Sequence, residues 1–578
     1  MKNNYSLVAL LIVFSAFVFY RFQYPKELGD NRRLQVTTWD ALGYYMYLPG
    51  TFIYGDMEQY TWFPAIDEKY GLSGGYFYQA GYDKELDVYV TKYTGGLAVL
   101  QLPFFAVAHL YAKNSAIHPA DGFSLPYQLA VCVGALFYML IGLWFLRKIL
   151  LHYFHDRVAA ITLILIGLTT NIIQYASIDS AMSHSYIFFM YPLVIWTTIK
   201  WHENPTLARA ALIGWLIGIA TICRPTEALM ILIPILWTTH TKAAAKEKWK
   251  LVWANKNSIA TFIVFGIIGI LPQLVYWQIV TGSPIYSMGS KWFFLTPWFR
   301  VLFGINNGWF IYTPIAIGFV VGFFFMKNRP FQKSVLWFSL LTIWVVIAWS
   351  DWRYGATYSC RALSQSLGVF ALPLACAIDR LSTWKYKLTL LPLGAFMIYV
   401  NLVQIHQYNS TVLHYHDMNW AYYQSIFLDK SPTPLAMSLL DNEDFLDSEA
   451  DYTKNELIKM TGTYAIPANE GSATLVDTAL NLQTSTSDQW IRISLENTID
   501  QMVSNGFILS RVLTADTILT NKVRIYNPLT IGKKVNKQDY YVRIPAGIQV
   551  QRLELKIEAD SSIVGNFGQL EIVELAQD

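Results

Sequence analysis

Polar side chains suited to acid–base and phosphate chemistry border the apolar stretches of this 578-residue chain. Asp40 lies in the segment TTWDALGYYMYLPG, and Asp179 lies in YASIDSAMSHSY. Arg224 occurs in CRPTEA, and the segment SDWRYGATYSCRA contributes Arg353 and Arg361. A carboxylate can accept the proton of a hydroxyl group, and an arginine binds phosphate oxygens through two hydrogen bonds. This combination indicates chemistry between a hydroxyl group and a phosphate-containing molecule.

The composition places that chemistry in a membrane protein. Hydrophobic residues make up 54% of the chain and charged residues only 14%, whereas about 25% of an ordinary soluble domain is charged. Residues 1–405 carry a net charge of +12 and residues 406–578 a net charge of −9. The whole chain has a net charge of only +3, so nucleic acid is not an expected partner. The composition predicts a basic apolar region followed by an acidic soluble one.

Eleven apolar stretches are candidates for membrane-spanning helices, each of which needs about 20 mostly apolar residues. They predict a polytopic α-helical membrane domain over residues 1–405. The stretches are 5–20, 123–146, 158–175, 183–199, 207–222, 226–239, 258–280, 308–326, 334–349, 361–378 and 387–405.

A twelfth apolar stretch, 94–112, determines the topology, because counting it as a span would reverse every later loop. If it lies along the membrane interface, five basic loops face the cytoplasm, as the positive-inside rule requires. Those loops are 147–157, 200–209, 241–256, 327–333 and 379–387. The N-terminus is then inside and the C-terminus outside, and the first stretch is an uncleaved anchor.

This topology predicts two large extracytoplasmic regions. The first is a loop of about 100 residues, 21–122, which includes the interfacial helix. The second begins with a helical linker, 406–450, which contains two prolines and an acidic cluster. It continues over 451–578, where apolar and polar residues alternate between turn-forming residues. Such alternation is typical of a small β-sandwich.

The same topology brings the polar residues to the outer membrane face. The two carboxylates, the three arginines and His184 come from four separate loops, yet all emerge where a lipid headgroup would lie. A sugar carried on a polyprenyl phosphate presents its anomeric carbon and its phosphate at this level. Cationic donors would hold the departing phosphate, and a carboxylate would activate an acceptor hydroxyl group.

At these residues the sequence resembles the GT-C glycosyltransferases, such as the protein O-mannosyltransferases and the lipid A aminoarabinose transferase. Asp40, followed by Tyr44 and Tyr45, resembles the acidic motif early in the first extracytoplasmic loop of that family. Lys92 and Tyr93 are similar in position to the segment that opens the family's juxtamembrane helix, although Thr-Gly-Gly replaces its Pro-Pro. The resemblance covers about residues 1–405 and includes the long first loop.

Asp179 corresponds in position to the family's second carboxylate. The resemblance implies an inverting enzyme in which Asp40 is the base, Asp179 supports the acceptor or a metal, and Tyr44 and Tyr45 contact sugar. Phosphate binding would fall to Lys92, Arg224, Arg353 and Arg361, with Tyr93 beside them. The candidates for a divalent metal are Asp40, Asp179 and His184, since the family contains both metal-using and metal-independent members.

The expected donor is a polyprenyl-phosphate-linked sugar, and the acceptor is a protein, a lipid or a glycan. The expected location is a bacterial inner membrane, with the C-terminal domain in the periplasm. Three alternatives remain open at this point: a lipid-glycan transporter or flippase, an O-antigen ligase or polymerase, and a non-catalytic membrane scaffold. The absence of a visible internal repeat, and the gathering of charges at one face rather than in mid-membrane, weigh against a transporter.

Overall fold

The computed structural model describes residues 4–28, 33–73, 75–287, 289–381, 384–466, 471–480, 482–499, 506–525, 535–559 and 563–577. The chain divides into two units, Met1–Leu402 and Val403–Asp578. The first unit is mainly helical. The second consists mainly of β-strands.

The helices of the described residues are numbered in chain order. They are α1 Tyr5–Gln23, α2 Asp40–Tyr45, α3 Tyr47–Pro49, α4 Phe63–Tyr70, α5 Gly96–Lys113, α6 Leu125–Tyr153, α7 Asp156–Leu168, α8 Ser183–Glu203, α9 Leu207–Cys223, α10 Leu232–Leu236, α11 Lys242–Ala254, α12 Lys256–Thr281, α13 Arg300–Phe303, α14 Trp309–Tyr312, α15 Ala316–Phe323, α16 Gln332–Ala348, α17 Leu367–Leu381, α18 Trp384–Asn409, α19 Trp420–Ser425 and α20 Pro434–Ser438. Short π-helical turns occupy Gly50–Tyr54 and Gln174–Ile178, and 3-10 turns occupy Pro225–Ile231 and Arg361–Leu363.

Five helical segments in the described part of the chain are long and apolar enough to cross a membrane. They are Tyr5–Gln23, Gly96–Lys113, Leu125–Tyr153, Lys256–Thr281 and Thr389–Asn409. The exposed side chains of helix α12 give the clearest evidence of the medium around these segments. Its side chains Ile263, Ile267, Leu271, Val275 and Ile279 recur every four residues and are 46% to 67% exposed. A continuous exposed stripe of this kind is stable against hydrocarbon and costly in water. The chain is therefore an integral membrane protein.

Four of the predicted spans are interrupted helices, and in one of them, 158–175, α7 ends at Leu168 before the π-helical turn Gln174–Ile178. The segment 226–239 is a 3-10 turn followed by α10, and 361–378 is a 3-10 turn followed by α17. The segment 308–326 is divided into α14 and α15. The break in 308–326 falls at Pro314, because proline lacks the backbone N–H and disfavours helical geometry at the residue before it. Apolar composition predicts the position of these segments but not where their helices stop.

Helix α11 stabilises the C-terminal end of α10 through one lysine. The ammonium group of Lys248, a buried residue, donates hydrogen bonds to the carbonyl oxygens of Pro234, Ile235 and Trp237 at 2.7, 2.5 and 2.8 Å. These carbonyls belong to a helix end, where no backbone N–H follows to satisfy them. We expect Lys248→Met to lower the free energy of unfolding by about 2–3 kcal/mol, since hydrogen bonds from a charged donor are lost and buried acceptors remain unpaired.

The measurement is the thermal unfolding midpoint of the purified full chain in detergent. Lys250→Met is the matched control, because Lys250 lies on the same helix and is exposed. A lower midpoint for the Lys248 variant alone is the expected result. Equal midpoints for the two variants would contradict the assigned role of Lys248.

The first loop is folded around an aromatic core. Trp62 stacks on Tyr54 with ring centroids 4.6 Å apart, and it also packs against Tyr60 and Phe123. The short antiparallel strands β1 Glu27–Leu28 and β2 Arg33–Leu34 pair with each other, as do β3 Ala80–Asp83 and β4 Val88–Thr91. Large aromatic side chains bury much apolar area for little loss of conformational freedom. This core fixes the two ends of the loop that carry Asp40 and Tyr93.

The second unit contains two four-stranded antiparallel sheets. Its strands are β5 Thr453–Ile466, β6 Ser472–Ala479, β7 Gln489–Ile499, β8 Gly506–Thr514, β9 Ile518–Arg524, β10 Val535–Ile544, β11 Val550–Ala559 and β12 Ile563–Ala576. The sheet orders are β10-β7-β12-β5 and β6-β11-β8-β9. Alternate residues such as Ile491 and Ile493 of β7, and Leu553 and Leu555 of β11, are fully buried in a shared core. The prediction of a β-sheet domain is confirmed.

Candidate functional site

Asp40 begins α2, and the backbone immediately before it is strained. Trp39 has φ 52° and ψ −125°, a region that bulky residues rarely adopt and that costs free energy. Two contacts hold this conformation. The Trp39 N–H donates to the Leu72 carbonyl at 3.2 Å, and Gln79 Nε2 donates to the Trp39 carbonyl at 3.3 Å. Strained backbone held in this way is common at functional sites.

The carboxylate of Asp40 is held by two donors from distant parts of the chain. Arg361 Nη2 donates to Oδ2, and the Tyr93 hydroxyl donates to Oδ1, each at 2.6 Å. The close approach of Tyr93 depends on Gly43 in α2. A Cβ atom at Gly43 would lie 2.0 Å from Tyr93 Cδ2, so any larger residue would displace the ring. The Asp40 side chain remains 28% exposed and is thus accessible from one side.

These contacts control the charge of Asp40. Burial by itself would raise the pKa of the carboxyl group, but the charge of Arg361 and the hydrogen bonds from Tyr93 and Arg361 lower it below its ordinary value. The charge of Arg224 acts in the same direction. Burial and the adjacent carboxylate raise the pKa of Tyr93, so its phenol stays protonated and can donate. At neutral pH the site therefore holds an ionised, oriented carboxylate.

Two arginines supply positive charge around Asp40. Arg361 opens the 3-10 turn before α17 and its side chain is only 10% exposed. Arg224 follows the last residue of α9 and is partly buried. The charges of both act on Asp40. A guanidinium group in a partly dry site interacts more strongly with an anion than it would in water.

Asp179 lies just after the π-helical turn Gln174–Ile178 and has its own cation. Lys26 Nζ donates to Oδ1 at 2.9 Å, and Gln174 Nε2 donates to Oδ2 at 3.0 Å. Arg21 fixes this turn, because its guanidinium donates to the carbonyls of Ser177 and Ile178 at 3.1 and 3.0 Å. Burial would raise the pKa of the Asp179 carboxyl, but Lys26, Gln174 and the Arg361 charge lower it.

The structure separates the other candidates into two groups. Tyr44 lies beside the site, with its ring centroid 4.8 Å from that of Tyr93. Tyr45 is fully buried and its hydroxyl donates to the Gly122 carbonyl at 2.5 Å, so it packs the core of the first loop. Lys92 and Arg353 are exposed. The Arg353 guanidinium lies over the Trp352 ring at 5.1 Å, and no contact joins Lys92 or Arg353 to Asp40 in the described residues.

Two of the three candidates for metal ligands already pair with cations: Asp40 with Arg361 and Asp179 with Lys26. His184 Nδ1 is 2.8 Å from Gln365 Oε1, and of its two ring nitrogens only Nε2 is unpaired among the described residues. Within the described ranges, no three His, Cys, Asp or Glu side chains converge as a metal site requires. This arrangement does not fit a resident divalent cation.

Lys26, Gly43 and Gln365 also belong to the site. The sequence near Lys26 and Gln365 does not indicate their partners. Lys26 and Asp179 are separated by 153 residues, and Gln365 and His184 by 181. Gly43 is the one of the three that the local sequence indicates, because it is a glycine inside the short helix DALGYY. Glycine at such a position indicates a close approach by another group.

No protein-family model matches the sequence, and no curated protein does. Among solved structures, the oligosaccharyltransferase of Archaeoglobus fulgidus in the apo form is 13% identical with a TM-score of 0.41, over 77% of this chain and 62% of that one. Arabinosyltransferase EmbB of Mycobacterium smegmatis is 8% identical with a TM-score of 0.29, over 76% and 57%. A structure of infectious bursal disease virus, Gt strain, is 13% identical with a TM-score of 0.18, over 22% and 34%.

This chain thus spans about a third of the viral chain and about three fifths of the two enzymes. With TM-scores of 0.41 or less, these likenesses are distant and carry no inference about function.

Proposed function

We propose that the protein is a GT-C-type glycosyltransferase that moves a sugar from a polyprenyl-phosphate donor to a hydroxyl group of an extracytoplasmic acceptor. The observation that carries this proposal is the pairing of Asp40 with Arg361 and Tyr93, each at 2.6 Å. An ionised carboxylate is a suitable general base for a hydroxyl group. A buried arginine next to it is suited to a phosphate leaving group.

The proposed reaction is a single displacement at the anomeric carbon. The acceptor oxygen forms the new bond to that carbon as the bond to the phosphate oxygen breaks, and the electron pair leaves with the polyprenyl phosphate. Asp40 takes the proton of the acceptor hydroxyl. Arg361 and Arg224 neutralise the charge on the departing phosphate. One displacement inverts the anomeric configuration.

We assign Asp179 and its partner Lys26 to the acceptor, because the charge of Arg361 acts on Asp179 as well as on Asp40. Tyr93 is half-buried and offers an aromatic face next to the base, with the buried Tyr44 ring packed against it. Such faces bind the apolar side of a sugar ring. A protein, a lipid or a glycan could present the acceptor hydroxyl group.

We also propose that the chain lies in a bacterial inner membrane with its C-terminal domain in the periplasm. The basic loops support this orientation through the positive-inside rule. The test uses sealed vesicles of defined orientation and a membrane-impermeant acceptor. Transfer only when the periplasmic side faces the acceptor is expected, and transfer only in the opposite orientation would reverse the topology.

The main experiment measures polyprenyl-phosphate release by the purified chain in detergent. The donors are a panel of polyprenyl-phosphate-linked hexoses, pentoses and aminosugars, with an extract of extracytoplasmic material as acceptor. Release that depends on Asp40 is the expected result. Release from none of these donors would move the assignment to a transporter or a scaffold.

We expect a chelator to leave this activity unchanged. Lys26 and Arg361 already neutralise the two carboxylates that a divalent cation would need. The measurement compares initial rates with and without excess EDTA, and then after addition of Mg²⁺ or Mn²⁺. A loss of activity in EDTA that the metal restores would contradict the assigned roles of both ion pairs.

A further inference from the structure

A buried chain of hydrogen bonds leads from Glu227 to His184. The Tyr191 hydroxyl and Gln365 Nε2 both donate to the Glu227 carboxyl group, the second at 2.9 Å to Oε1. Gln365 Oε1 is in turn 2.8 Å from Nδ1 of His184. Glu227, Gln365 and His184 are at most 4% exposed. The three residues come from the 3-10 turn after α9, the segment before α17, and the start of α8.

This chain determines which ring nitrogen of His184 carries hydrogen. Gln365 Nε2 donates to Glu227 Oε1, which turns the Gln365 amide oxygen towards His184. The amide oxygen then faces His184 and can only accept, which requires hydrogen on Nδ1. In a neutral imidazole, Nε2 is consequently left with a lone pair. His184 therefore presents a hydrogen-bond acceptor of fixed orientation.

His184 Nε2 is buried and has no hydrogen-bond partner among the described residues. Buried polar atoms are rarely left unpaired, so each such atom calls for an explanation. The imidazole lies against Tyr175, with ring centroids 4.7 Å apart. The charges of Arg361 and Arg224 both act on the His184 imidazole. The same two guanidinium charges that act on Asp40 therefore also act on His184.

We propose that Nε2 of His184 accepts a hydrogen bond from a hydroxyl group of the bound substrate, and that Gln365 and Glu227 position it for this. This inference rests on the proposed function. A sugar hydroxyl fits because it is a donor small enough for a buried site, and because the adjacent arginines offer only donors. The hydroxyl belongs to the donor sugar or to the acceptor. No bond is made or broken at His184.

Two substitutions separate the two ring nitrogens. In His184→Asn, the amide nitrogen takes the place of Nδ1 and can still donate to Gln365, but the acceptor at the position of Nε2 is lost. In His184→Gln, the amide oxygen reaches the position of Nε2 and can still accept, but the bond to Gln365 is lost. We expect the Asn variant to lose about tenfold or more in kcat/KM, and the Gln variant to lose less.

The assay is polyprenyl-phosphate release from the best donor of the panel, with the thermal midpoint of each variant measured in parallel. Without an acceptor, polyprenyl phosphate is released by hydrolysis of the donor, and the rate depends on binding of the donor sugar alone. With an acceptor, the rate of release depends on binding of both substrates. Monodeoxy versions of the donor identify the group. Removal of the hydroxyl that binds Nε2 should slow the wild type but cause no further loss in His184→Asn.

A defect of the Asn variant only in the presence of acceptor assigns the hydroxyl to the acceptor. An Asn variant as active as the wild type would overturn the inference and leave the proposed function intact. An equal loss in both variants, matched by an equal fall in thermal midpoint, would show a structural role and also overturn it. Absence of release by the wild type would overturn the proposed function and the inference together.

Discussion

Replacing Asp40 with asparagine is expected to slow sugar transfer by about 10²–10⁴-fold, the usual contribution of a general base. Asparagine has nearly the same shape, and its amide oxygen can still accept from Arg361 while its NH₂ group faces the Tyr93 hydroxyl, which can accept from it. It cannot take a proton from the acceptor hydroxyl group. The loss should therefore appear in kcat more than in donor binding. Initial rates of polyprenyl-phosphate release over a range of donor concentrations measure both quantities.

The matched control is Glu85→Gln, which removes an exposed carboxylate from the turn of the β3–β4 hairpin in the same loop. We expect it to retain the wild-type rate. Thermal unfolding of both variants separates lost chemistry from lost folding, since Asp40→Asn leaves Arg361 buried without its anionic partner. A folded Asp40→Asn variant with the rate of the control would remove Asp40 from the mechanism.

The position of Asp40 in a site could be predicted because the signals are local. A carboxylate that follows an apolar anchor, near aromatic residues and outside the basic loops, predicts a candidate site at one membrane face. The helices and the β-domain could be predicted for the same reason. Apolar runs and alternating patterns depend on neighbours only a few residues apart, whatever the rest of the chain does.

The partners of the carboxylates could not be predicted from local patterns. Arg353 and Arg361 lie in one loop, and the sequence gives no ground to prefer either. Their directions depend on a backbone in which Tyr354 and Ser359 both have positive φ, 57° and 56°. Non-glycine residues adopt such values only when the surrounding packing imposes them. This turn aims Arg361 at Asp40 and leaves Arg353 exposed.

Removal of the Arg361 charge should have two separable effects. We expect Arg361→Gln to slow transfer by about 10²–10³-fold, as for the loss of a donor that stabilises developing negative charge. We also expect the acid limb of the pH profile of kcat/KM to move to higher pH. Burial raises the pKa of the Asp40 carboxyl while Arg361 lowers it, so without Arg361 the pKa rises. The base is active only when ionised, so activity is lost at a higher pH as the pH falls.

The comparison that decides this point is Arg353→Gln. It removes the same charge from the same loop, at a residue whose guanidinium lies over Trp352 rather than at Asp40. A phosphate contact by Arg353 would lower the rate with little movement of the acid limb, because the largest effects on the pKa of the Asp40 carboxyl come from burial, Arg361, Tyr93 and Arg224. The shift of the limb thus reports the Arg361–Asp40 pair specifically, and the rate at high pH reports phosphate binding. A limb that stays in place in Arg361→Gln, or moves equally in Arg353→Gln, would show that Arg361 does not control the charge of the base.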